Sequence, residues 1–146
     1  MLNEGAYKAA YDEKVRLSCP FEKAILSRCA GCDQVRKFNI AEREAIACEA
    51  AVEREKCVTL HGLLHQNASF VLKLIHPGEP LPHAKEIKVQ CGGLLGVQRL
   101  FDQGASLVEN IHALAVEAQQ RFGTMQDVPY QGVAKEIAAY EGRRRR

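Results

Sequence analysis

Residues 39–57, NIAEREAIACEAAVEREKC, decide how this chain is read. Asn39 followed three residues later by Glu42 is a capping-box pattern, and the apolar spacing after it predicts one helix running from about residue 40 to 75. It would close at HPGEPLP (76–82), where prolines and a glycine enforce a loop. In an unbroken helix, Cys48 and Cys57 would stand about half a revolution and roughly 13 Å apart. They could not then share a metal. A site built from Cys29, Cys32, Cys48 and Cys57 therefore requires an interruption around residues 49–55, although no Gly or Pro lies between Cys48 and Cys57. In the same helix, Cys57, His61 and His65 fall at i, i+4 and i+8, which makes either a separate thiol–imidazole clamp or one side of the core.

Working outward, helices are expected nearly everywhere. Residues 5–16 carry helical spacing, Pro20 suits a first turn before Phe21–Arg28, and Gly31 suits a terminator. AKEIKVQCGGLLGVQRLF (84–101) reads as a short extended piece turning helical after the glycines. Ser106 with Glu109 forms a second capping-box pattern, for a helix that stops at Gly123, and Val133, Ile137 and Tyr140 mark a last short helix. No strand alternation stands out. The expected fold is all-α, a single-domain bundle of five or six helices over residues 1–142, with a Pro-rich loop near 76–83 and a disordered arginine tail at 143–146.

Composition limits the function. At 146 residues with 47% hydrophobic and 26% charged side chains, the chain can bury a core without disulfide staples. No apolar run approaches the ~20 residues that cross a bilayer, and residues 1–17 have neither a basic n-region nor an apolar h-region. A cytoplasmic protein with reduced thiols is expected. The net charge of +2 owes its sign to the four terminal arginines, so a nucleic-acid surface is not expected from the body of the chain.

Six cysteines, at 19, 29, 32, 48, 57 and 91, exceed what packing needs, and five fall within residues 19–57. In a reducing compartment such clustering points to metal or redox chemistry. Cys29-Ala30-Gly31-Cys32 can turn two sulfurs onto one centre. Cys19 precedes a proline, and Cys91 precedes Gly92-Gly93, whose amides could approach a sulfur. All six are candidate cofactor-binding residues, with Cys29, Cys32, Cys48 and Cys57 as the metal-ligand set. Thiolates select zinc or iron–sulfur clusters. More than four cysteines scattered over a scaffold that can fold unaided favour a [4Fe–4S] cluster in one-electron transfer or redox or gas sensing, with a redox partner protein or self-association. The alternative is a zinc-stabilised, non-enzymatic adaptor that binds a protein through a helical face. A thiol–disulfide exchanger using Cys29 and Cys32 is disfavoured by the pair's place at a helix end. No G-x-S-x-G, P-loop or G-x-G-x-x-G is present, so catalysis is not the expected role.

Overall fold

The computed structural model describes residues 17–40, 43–73 and 80–141. The expected helix at 5–16, the first half of the Pro-rich loop and the arginine tail lie outside the described residues. The elements in chain order are helix α1 (Glu22–Leu26), strands β1 (Val35–Ile40) and β2 (Arg43–Cys48), and the long helix α2 (Ala51–Val71). There follow α3 (His83–Ile87), a π-helical turn (Lys88–Gly92) and α4 (Gly93–Arg99), which run on without a break. Helix α5 (Ile111–Phe122), a 3-10 turn (Met125–Asp127) and α6 (Tyr130–Ala139) complete the described chain. The expectation of an all-α bundle is corrected: the described residues form a set of packed helices together with one antiparallel hairpin, an α+β arrangement.

The hairpin replaces the start of the long expected helix. β1 and β2 pair from Val35 opposite Cys48 to Ile40 opposite Arg43. Val35, Phe38 and Ile40 are strand formers, but β2 is rich in alanine, a helix former. Tertiary contacts overrule that preference. On the edge of β2 away from β1, Cys19 N–H donates to the Ile46 carbonyl at 3.0 Å and Cys48 N–H to the Leu17 carbonyl at 2.7 Å. β2 is thus an interior strand in which Ala45 and Ile46 are fully buried. Alanine's helical advantage is a few tenths of a kcal/mol per residue, whereas burying one isoleucine is worth about 1.5–3 kcal/mol. The strand wins.

A bend follows at Glu49, whose N–H donates to the Gln34 carbonyl at 2.8 Å, and α2 starts at Ala51. Cys48 ends a strand and Cys57 lies in a helix, so the single rod that would separate them does not exist. One face of α2 buries Cys57, Leu60, Leu64 and Ala68 at helical spacing.

The α3–α4 segment is helical throughout, which corrects the expected extended start at residue 84. Its glycines serve packing. A Cβ on Gly92 would lie 2.8 Å from Ile137 Cα of α6, and one on Gly93 would lie 2.8 Å from Leu64 Cδ1 of α2. Close helix contact on both sides therefore explains Gly92-Gly93, in place of the expected amide donors to a sulfur. Helix α5 is capped by Asn110, whose side chain accepts from Ala113 N–H at 3.5 Å, rather than by Ser106 with Glu109. It stops at Gly123, where φ is +85°. No helix among the described residues is long and apolar enough to cross a membrane.

Candidate metal centre

Four cysteines from four segments meet at one small cavity: Cys19, Cys32, Cys48 and Cys57. All four carry free thiols. The hairpin places two of them. Cys48 is the last residue of β2, and Cys19 is hydrogen-bonded to the same strand through Ile46. Arg54 of α2 fixes this segment from the other side, donating from Nε to the Ser18 carbonyl at 2.8 Å.

Cys32 arrives on a separate loop that is stitched to the start of α5. Gly31 N–H donates to the Val108 carbonyl at 2.9 Å, and Ile111 N–H donates to the Gly31 carbonyl at 2.8 Å. A Cβ at Gly31 would come within 3.0 Å of the Glu109 carbonyl oxygen, so the approach depends on glycine. Cys57 comes from α2, in the second turn after its start at Ala51, with 8% of its surface exposed.

Burial keeps Cys19, Cys32 and Cys57 protonated in the absence of a cation. Burial pushes Cys57 up to about 12, and the neighbouring Cys19, Cys32 and Cys48 add to the rise. Burial likewise pushes Cys19 up to about 12, against a backbone hydrogen bond from Phe21. Cys32 is raised by burial while backbone groups of Gln34 and His112 oppose the shift. Amide donors aimed at sulfur two residues back, Phe21 to Cys19 and Gln34 to Cys32, stabilise a thiolate once it forms. Bringing a metal cation here would displace the protons and turn mutual repulsion into shared attraction.

On the cavity rim, His112 Nε2 lies 2.8 Å from Glu53 Oε2, and Lys56 Nζ lies 3.0 Å from the same oxygen. Hydrogen bonds from Lys56 and His112 hold the Glu53 carboxyl below its ordinary range. The cavity admits a water-sized sphere over about 10 Å³, close to the minimum for one water molecule.

The remaining two candidate ligands lie elsewhere. Cys29 and Cys91 are joined in a disulfide that links the α1–β1 loop to the π-helical turn, with Cα atoms 6.0 Å apart. Reduced thiols were expected for both, and Cys29 was expected beside Cys32 in the metal set. In the structure, Cys19 stands in that place. The C-x2-C pair is split: Cys32 faces the cavity, and Cys29 is bonded away from it.

The expected stripe of Cys57, His61 and His65 is also divided. His61 and His65 converge instead on Glu86 of α3, a residue that sequence reasoning passed over. Its signal was available, since Glu86 is the only acid between Leu81 and Phe101 in a glycine-rich apolar run. A wider, open trough of about 500 Å³ between α4 and α5 includes Gln98, Asp102, Glu109, Asn110 and Glu117. It has no histidine, cysteine or cation, and the chemistry-bearing side chains are in the narrower cavity.

No family model, no curated protein and no solved structure matches this chain.

Proposed function

We propose that Cys19, Cys32, Cys48 and Cys57 ligate an iron–sulfur cluster of the [4Fe–4S] type, and that the protein works in one-electron transfer or redox sensing with a partner protein. The observation that carries this reading is the convergence of four free thiols from four separate segments on one cavity. Four thiols, one buried and three partly so, have no mutual attraction to bring them together, and core packing does not need cysteine at each position.

Two further observations support a cluster over zinc. Tetrahedral zinc with Zn–S bonds of about 2.3 Å brings its sulfurs to within about 3.8 Å of one another. Among the described residues, the one group of three or more donor atoms lying within 4.8 Å of each other is His61, His65 and Glu86. The thiols are spaced more openly, as suits ligands that bind different corners of a cluster. In addition, the cysteines adjoin a larger apolar core that includes Leu94, Val97, Leu114, Val133 and Ile137. Structural zinc more often holds small domains that lack such a core.

The narrowness of the cavity favours a second reading, a single zinc ion in a non-enzymatic adaptor. Isolation without oxygen, followed by metal and acid-labile sulfide analysis, separates the two. Iron with equivalent sulfide and broad visible absorption is the expected result. A colourless chain with one zinc per molecule overturns the cluster in favour of the adaptor.

A further inference from the structure

We propose a second metal site, separate from the four cysteines, in which His61, His65 and Glu86 bind one divalent transition-metal ion. His61 and His65 are one helical turn apart on α2, so their rings share a face, with centroids 4.4 Å apart. Both present Nε2 to a single carboxylate from α3. His61 Nε2 lies 3.0 Å from Glu86 Oε2, and His65 Nε2 lies 2.8 Å from Oε1. Two imidazoles and one carboxylate are a donor set for zinc or for iron(II), nickel and cobalt of intermediate softness.

The spacing is close to what such an ion needs. Ligand bonds of about 2.0–2.1 Å in a tetrahedron set neighbouring donor atoms about 3.3 Å apart. The observed separations therefore require an opening of a few tenths of an ångström. The ion would take the place of the protons that now bridge nitrogen and oxygen, leaving each imidazole protonated at Nδ1.

The surroundings are those of a supported ligand set. Glu86 is 9% exposed, an unusual place for a carboxylate, and Gln90 Nε2 donates to its Oε2 at 2.9 Å. Gln90 is itself oriented by Ala24 N–H, which donates to its Oε1 at 2.9 Å, and Phe21 packs edge-on to His61 with centroids 5.4 Å apart. A carboxylate held by a second layer of hydrogen bonds and an imidazole fixed by an aromatic edge are preorganised. The two histidine side chains are 26% and 22% exposed, which gives an ion a way in. Three protein donors are one fewer than a closed structural zinc site uses, the count of centres that keep a position for water or a small ligand.

The test is calorimetric titration of Zn2+ into the full chain isolated without oxygen, with Co2+ spectra as a second readout. One equivalent should bind with weak visible cobalt bands and no thiolate-to-cobalt charge transfer. Affinity should fall in His65→Gln and Glu86→Gln by more than the 10–100-fold typical of losing an outer-layer partner. The amide in each variant can still hydrogen-bond, and far-UV circular dichroism checks the fold. His83→Ala, an exposed histidine, should bind as the parent does. Absence of a non-thiolate equivalent, or equal affinity in parent, His65→Gln and Glu86→Gln, overturns the site.

Discussion

Replacing Glu86 by glutamine tests how far this carboxylate organises the contact between α2 and α3. In the metal-free chain it accepts from three donors: His61 Nε2, His65 Nε2 and Gln90 Nε2, all at 2.8–3.0 Å. Burial opposes its ionisation, but these hydrogen bonds outweigh burial and hold the carboxyl well below its usual range. Glutamine removes the charge and offers one acceptor oxygen to three donors, so at least one donor loses its partner. A hydrogen bond to a charged group contributes about 1.5–3 kcal/mol, and an unmet buried donor costs about 1–3 kcal/mol. Partial exposure of the histidines discounts these figures, which places the expected loss near 2–3 kcal/mol. Urea unfolding with chelator present, followed by circular dichroism at constant slope, measures it. The sign with pH follows from a depressed folded-state value. The contribution is present above the unfolded carboxyl's ordinary range, near 4.3, and is lost as pH falls through the folded value. The gap between parent and variant should be steady from about pH 6 to 5 and narrow progressively below about pH 4. A loss under about 0.5 kcal/mol at pH 6, or a gap that does not narrow in acid, would refute the assignment of this carboxylate as a charged three-way acceptor.

Three other outcomes are expected. Gly93→Ala should destabilise the fold by about 1–3 kcal/mol through overpacking against Leu64, whereas Gly62→Ala, in α2 with nothing within 4 Å of the added methyl, should stabilise it by up to about 1 kcal/mol; thermal unfolding of both decides. Reducing the Cys29–Cys91 bond, which spans 62 residues, should lower stability by up to about 4 kcal/mol, seen by comparing melts with and without reductant. In metal-free, reduced protein, Cys19 and Cys57 should alkylate slowly at pH 8 and rapidly after unfolding, because both thiols are pushed up to about 12; mass mapping of early adducts at either residue in the folded chain would contradict this.

How much of this could be read in the sequence differs from element to element. Gly123 as the end of α5 and Val133 with Ile137 as the buried stripe of α6 follow from local spacing, and the structure has both. The hairpin was not legible. REAIAC and AAVEREKC carry the same helical signal, and only the backbone bonds that residues 17–19 and 35–40 make to β2 separate strand from helix. The cysteine count pointed to thiol chemistry, and the geometric condition on Cys48 and Cys57 located the one bend that mattered. Which cysteine joins them could not be derived from spacing. Cys29 is adjacent to Cys32 in sequence, but the backbone bonds of Cys19 to β2 decide the neighbour in space. Glu86 stands out in sequence as a lone acid, but its pairing with His61 and His65 was hidden for the same reason: these partners lie 25 and 21 residues away on another helix.

The assignment of Cys19 rather than Cys29 to the thiol centre is where the fold and the proposed function meet. Iron and acid-labile sulfide should therefore be measured in anaerobically isolated Cys19→Ser and Cys29→Ser chains alongside the parent. About four of each per parent chain, retained in Cys29→Ser and lost in Cys19→Ser, is the predicted result. Loss in Cys29→Ser with retention in Cys19→Ser, or a parent chain without iron and sulfide, would contradict it.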